Sequence, residues 1–177
     1  MKSRRFPNGR GKANPKNPNL TYKEIWSFPE DTSQFLEPYF EDSYSLHVCC
    51  GNSLLGDVRL DMVKQEIQDT KEGFIQGDMF DLTNILESRG IKRQSFEVVL
   101  CDPPWNLPYH VRHRLAFQLR DFVAIEGSLI FNCLWFPRIR TMSNKGLPEK
   151  IFVALNSMAW RNVSLIGIYR KVQNQFD

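Results

Sequence analysis

The chain has 177 residues, enough for one domain and too few for two ordinary ones. Hydrophobic residues make up 42% and charged residues 24%, which excludes a disordered chain and implies a globular fold; thirteen Phe, five Tyr and four Trp make its core aromatic-rich. A net charge of +3 defines no partner, and no apolar run approaches the ~20 residues needed to cross a membrane.

Charge is unevenly placed. Residues 1–20 carry Lys2, Arg4, Arg5, Arg10, Lys12 and Lys16 with no acid, among Asn, Pro and Gly. Such a segment cannot bury enough surface to offset its ordering entropy, so it is expected to be a mobile basic arm ahead of a single domain over 21–177. The arm admits two readings, phosphate contact or a solubilising tail. The N-terminus has no apolar h-region, so no signal peptide is expected, and Cys49, Cys50, Cys101 and Cys133, none in a CxxC pair, fit buried reduced thiols in a cytoplasmic protein.

Thr32 is expected to cap a short helix over 33–40 with Phe35, Leu36 and Phe40 on its apolar face. Strands and helices then alternate. Tyr44–Cys50 reads as a buried strand ending at Gly51, Asp57–Met62 as a second, and Phe74–Gly77 as a third ending at Asp78. Asp81 or Thr83 can cap a helix through Glu87 that Gly90 stops. Phe96–Cys101 is a fourth, strongly apolar strand ending at Asp102. Pro108 suits the first turn of a helix through Val123, with Val111, Leu115, Leu119 and Phe122 as its buried stripe. Gly127–Phe136 is a fifth strand, and Lys150–Leu155 and Val163–Lys171 form a hairpin. This order implies an α/β fold, a Rossmann-like, mainly parallel sheet with an antiparallel C-terminal strand.

In such sheets ligands bind beyond the carboxyl ends of the strands, where this sequence places Gly51, Asp61, Asp78 and Asp102. Asp102-Pro103-Pro104-Trp105 is the most informative segment. Two prolines stiffen the backbone and remove two N–H donors, leaving a shelf with the Asp102 carboxylate and nearby carbonyls as acceptors and the Trp105 indole as a flat surface. An amine on a planar ring needs this combination, acceptors for its N–H groups and a stacking partner for its ring.

The tetrapeptide resembles the D/N-P-P-aromatic motif of class I S-adenosylmethionine-dependent amino-methyltransferases, and its DPPW form is similar to that of adenine-N6 enzymes. The resemblance covers roughly residues 44–172. It implies that Asp102, Pro103, Pro104 and Trp105 receive the substrate amine and that the cofactor is S-adenosyl-L-methionine. Leu46–Ser53 is similar to the family's first cofactor motif, with His47, Cys49 and Ser53 departing from it; the likeness puts Cys50, Gly51 and Asn52 on the cofactor. Read alone, the segment fits a small-residue turn equally well. By the same resemblance Asp61 takes the ribose hydroxyls, Asp78 takes the adenine amine of the cofactor, and Met79 and Phe80 flank that ring.

Only five residues separate Gly51 from Asp57, whereas a parallel crossover needs about a dozen. The helix that follows the first motif in the family must be lost or reduced, leaving the second strand edge-like or misplaced. Tyr109, His110, Arg112 and Arg114 crowd behind the tetrapeptide and fit either phosphate contact or a solvated helix face. His110 and His113 lack an evident third metal ligand, so no metal is expected. The expected substrate is the N6 amine of adenine in DNA or RNA, with a partner protein for target recognition. Methylation of a protein glutamine or a small molecule, and a degenerate binding module, are the alternatives.

Overall fold

The computed structural model describes residues 13–14, 17–21, 30–104, 107–133, 135–142, 144–155 and 163–173. Near the N-terminus, strands β1 (Ala13–Asn14) and β2 (Asn17–Thr21) pair antiparallel; the rest of the expected basic arm lies outside the described residues. Helix α1 spans Glu30–Phe40, so its start precedes Thr32. Thr32 is buried inside the first turn and is not the cap.

Seven strands form the main sheet: β3 (Ser45–Val48), β4 (Val58–Asp61), β5 (Phe74–Gln76), β6 (Phe96–Cys101), β7 (Val123–Cys133), β8 (Lys150–Leu155) and β9 (Val163–Arg170). Their spatial order is β5-β4-β3-β6-β7-β9-β8. The first five run parallel, and β9 is inserted antiparallel between β7 and β8. Helix α2 (Leu82–Ser88) follows β5, and α3 (Tyr109–Arg120) follows β6.

The inner strands β3, β4 and β6 are short and buried on both faces, which is why they read as near-continuous apolar runs. Leu46, Val48, Leu60 and Val99 meet Leu82 and Leu86 of α2 and Leu115 and Leu119 of α3 on one face. On the other, Val98, Leu100, Ile130, Ile166 and Ile168 pack against Leu36 of α1, and Phe35 stacks on Phe152 at 3.8 Å.

Strand β7 begins four residues earlier than the expected Gly127, so α3 stops at Arg120 and not at Val123. The register against β6 shifts between Phe96 and Val98, and Glu126 takes a left-handed conformation at φ 63°. The bulge absorbs residues 124–126, which read as the connection between helix and strand.

The larger departure is the crossover. β4 lies directly beside β3, parallel, with nine residues between Val48 and Val58 and no helix among them. The second strand is therefore correctly placed and internal to the sheet, and not edge-like. Among the described residues no helix is long and apolar enough to cross a membrane.

Candidate active site

At the end of β3 the chain turns sharply, with Cys49 at φ 60° and Gly51 at φ 52°. Glycine carries such an angle without a Cβ penalty. The Cys49 and Cys50 amides both donate to the Leu60 carbonyl, at 2.8 and 3.3 Å, tying the turn to β4. The Gly51 amide donates to Asp61 Oδ2 at 2.9 Å, and the Val63 amide to Asp61 Oδ1 at 3.1 Å. A carboxylate offers about four acceptor sites, so about two remain open on Asp61 among the described residues.

Asp78 is exposed and caps a short 3-10 turn, its Oδ1 accepting from the Phe80 amide at 2.9 Å. Its other oxygen has no partner among the described residues. Met79 is buried, its sulfur 3.2 Å from Cys49 Sγ. The ends of β3, β4 and β5 thus converge. Asn52 is exposed beside them, whereas Cys50 is buried and its thiol is pushed up to about 12 by burial and then by Asp61. A thiol held neutral and inward leaves only the Cys50 backbone to meet a ligand. Met62, Val63 and Phe80 are exposed apolar side chains beside the two acids. Sequence reasoning passed over Met62 and Val63; the signal was an apolar pair directly after a strand-end acid.

Sequence reasoning also passed over the side chains that replace the missing helix. Arg59, wholly buried, donates from Nε to Gln68 Oε1 at 2.8 Å, from Nη1 to the Gly56 carbonyl at 3.0 Å, and from Nη2 to the Lys71 and Glu72 carbonyls at 2.6 and 2.8 Å. Gln68 Nε2 donates to the Gly51 and Ser53 carbonyls at 2.8 and 2.9 Å. One guanidinium and one amide therefore satisfy the carbonyls of a loop that has no helix of its own. Gly73 completes the clamp: a Cβ there would lie 1.8 Å from the Asp57 carbonyl oxygen. His47, at the position where the resemblance leads one to expect an acid, is buried, and burial lowers its imidazole to about 3, so it packs as a neutral ring.

At the end of β6 the Asp102 amide donates to the Val48 carbonyl at 3.3 Å. Asn132, 3% exposed on β7, donates from Nδ2 to Asp102 Oδ1 at 2.8 Å. Asp102 Oδ2 has no partner among the described residues. Burial raises the Asp102 carboxyl to about 7, against the opposing pull of the Asn132 bond and of the Arg112 charge. Pro103 is buried and Pro104 exposed. The Pro104 carbonyl accepts from the Leu107 amide and from Arg112 Nη2, both at 3.2 Å. A carbonyl has two lone pairs, so this one is fully used, whereas the Asp102 carboxylate keeps an open oxygen among the described residues. Trp105 lies outside the described residues.

Tyr109, His110 and Arg114 are exposed on α3. Arg112 is not: it is 3% exposed and turned toward the Asp102 turn, which corrects its expected place among the phosphate-facing cations. The Tyr109 ring lies 3.9 Å from that of Trp135 and 6.0 Å from that of His113, which lies 4.8 Å from Phe117. Among the described residues no cluster of three metal-ligating groups occurs. Cys49 and Cys50 are free thiols.

No protein-family model matches the chain, and a comparison with curated protein sequences finds no match. Solved structures do match. The Burkholderia thailandensis 1,6-didemethyltoxoflavin-N1-methyltransferase, crystallised with 1,6-didemethyltoxoflavin and S-adenosylhomocysteine, is 9% identical with a TM-score of 0.58, over 81% of this chain and 78% of its own. A Streptococcus mutans protein assigned to the SAM-dependent methyltransferases is 12% identical with a TM-score of 0.56, over 85% of this chain and 51% of its own. TrmN from Thermus thermophilus is 13% identical with a TM-score of 0.51, over 79% of this chain and 48% of its own. The chain spans about half the length of the Streptococcus mutans structure and of TrmN. At these identities the likeness concerns the fold: this chain has the Rossmann-like fold of the class I methyltransferases.

Proposed function

We propose that this protein is an S-adenosylmethionine-dependent methyltransferase acting on an exocyclic amine, the N6 amine of adenine in a nucleic acid. The observation that carries the reading is Asp102, a strand-end carboxylate on a proline-stiffened turn with one oxygen held by Asn132 and the other open among the described residues. An amine supplies the N–H donor that this oxygen lacks. Accepting that bond localises the nitrogen lone pair, and the rigid turn holds the amine in place for transfer.

The residues at the ends of β3, β4 and β5 fit the cofactor. Asp61 retains about two acceptor sites, enough for a ribose diol, while its other two hold the Gly51 and Val63 amides. Asp78 retains an oxygen for the adenine amine, and Met62, Val63 and Phe80 supply apolar surface for the ring. When bound, S-adenosylmethionine supplies an electrophilic methyl group on a sulfonium.

A nucleic-acid substrate is supported by His110 and Arg114, exposed on α3 just after the Asp102 turn. Tyr109, exposed and beside Trp135, offers a ring on which a base can stack, the arrangement used for single strands. The basic arm adds phosphate contacts, and target recognition is assigned to a partner protein. Free thiols at Cys49 and Cys50 agree with a cytoplasmic location.

The test is to incubate the protein with labelled cofactor and a panel of single-stranded and duplex DNA and RNA, digest, and identify the modified nucleoside. N6-methyladenosine or its deoxy form is expected. Label in protein or small molecules alone would move the substrate class. The helix-less crossover favours a second reading, a binding module without turnover, and cofactor binding with no transfer to any acceptor would establish it.

A further inference from the structure

Asn132 lies at the end of β7, and its position is set by the sheet. Cys101 pairs with Phe131 in the parallel register, so Asn132 stands level with Asp102, one residue beyond β6. On its other side Asn132 pairs with Ile166 of β9. A side chain hemmed in by two neighbouring strands has little freedom, and this one is 3% exposed. Its Nδ2 donates to Asp102 Oδ1 at 2.8 Å, while its own Oδ1 is buried without a hydrogen-bond partner among the described residues.

A buried carbonyl oxygen without a partner is costly and uncommon. The arrangement makes sense if the amide is needed as a donor. Turned over, it would set Oδ1 against the Asp102 carboxylate, oxygen to oxygen. The orphaned oxygen is the consequence of keeping Nδ2 on Asp102. An apolar side chain of the same shape would avoid the orphan but leave Asp102 with no donor on either oxygen.

We propose that Asn132 is the positioning residue of this site, holding one oxygen of Asp102 so that the other is left as the acceptor for the substrate amine. The inference rests on the reading of Asp102 given above. Arg112 works from the opposite side. It comes from α3, is itself buried, and fixes the Pro104 carbonyl two residues on. Together they pin the turn at both ends.

Among the described residues, the groups acting on the Asp102 carboxyl are the Asn132 amide from β7 and the Arg112 guanidinium from α3, while the Val48 carbonyl of β3 accepts from the Asp102 backbone amide. Arg112 is the charged group that acts on it, and both Arg112 and Asn132 favour the ionised form against burial. Removing the Asn132 donor therefore raises the pH at which Asp102 ionises.

The experiment is a carbon-13 carboxyl NMR titration of Asp102 in the full chain, without substrate or cofactor, the signal being assigned by its loss in Asp102→Asn. Asn132→Leu is expected to move the Asp102 titration upward by about one pH unit or more. Asn132→Ser, with a shorter reach, is expected to move it the same way and serves if the leucine variant does not fold. In methyl transfer, the variants should show a lower kcat near neutrality that recovers as pH rises, with KM for the cofactor unchanged. A merely structural role would lower activity at all pH values and leave the titration where it was. An unmoved titration in a folded variant overturns the inference, whatever the activity. A moved titration in a protein that transfers no methyl group to any amine keeps the Asp102–Asn132 pair and removes the proposed reaction.

Discussion

Arg59 Nε donates to Gln68 Oε1 at 2.8 Å in a site where both side chains are buried. This pair stands where the fold would otherwise have a helix. Desolvation pulls the Arg59 guanidinium below its ordinary value, while Cys50 and Asp57 act against that pull. The ion stays buried because the Gln68 side chain and the Gly56, Lys71 and Glu72 carbonyls accept from it, and Gln68 in turn ties it to the Gly51 turn.

Breaking that pair should cost both stability and the cofactor turn. Gln68→Leu removes the acceptor of Arg59 Nε and the amide that bonds the Gly51 and Ser53 carbonyls. A loss of about 2–4 kcal/mol is expected. Denaturant unfolding should show it as a lower midpoint with little change in slope. Cofactor affinity should fall with it, because the same amide holds the turn. Wild-type stability in the variant would show that the loop is held by other interactions.

Asp61 and Asp78 should separate in their effects. Asp61 holds the Gly51 amide as well as offering open acceptor sites, so Asp61→Ala is expected to weaken S-adenosylmethionine binding and lower thermal stability together. Asp78 is exposed and caps only a short turn, so Asp78→Ala should weaken binding by roughly tenfold with little loss of stability. Calorimetry with the cofactor and its demethylated product, alongside thermal unfolding, reads both. Equal binding by Asp78→Ala and wild type would remove Asp78 from the cofactor site.

Asp102 carries opposite consequences for activity and stability. Asp102→Ala should lower methyl transfer by about a hundredfold or more while sparing cofactor affinity. With its carboxyl raised to about 7, wild-type activity should rise with pH through neutrality as the acceptor ionises. The stability effect has the other sign. A carboxyl whose folded value lies above its unfolded value binds more protons when folded, so stability falls as pH climbs from about 4 to about 7. Asp102→Asn should therefore be the more stable protein above pH 7, by on the order of 1–4 kcal/mol, and of equal stability near pH 4. Unfolding curves at the two pH values decide it; a variant less stable at both would contradict the assigned shift.

Deleting residues 1–20 should weaken nucleic-acid binding and flatten its dependence on log salt, by up to about 0.9 unit for each DNA phosphate that the arm neutralises. Six cations and no acid in that segment motivate the expectation. Cofactor affinity should not change. A deletion with the salt slope of the full chain would leave His110 and Arg114 as the exposed basic groups of the substrate face.

What this sequence determined by itself follows from short-range patterns. Apolar runs of strand length, ending in Gly51, Asp61, Asp78 and Asp102, already specify a parallel sheet with its informative residues at one edge, because burial on both faces demands such runs. Two prolines after Phe96–Cys101 end that strand wherever it sits in space. The hairpin of β8 and β9 was legible for the same reason, since its connection is too short to cross over. The tertiary structure alone decided how distant residues share their polar groups. Arg59 reads in sequence as a polar position within a strand, and only the folding of 49–57 and 66–72 around it makes it a buried clamp. Arg112 reads as one cation among several, and only the docking of α3 turns it toward Pro104. Asn132 lies thirty residues from Asp102, and nothing local joins them. A hydrogen bond depends on distances of a few tenths of an ångström, which the packing of β6 against β7 sets and which no pattern along one strand contains.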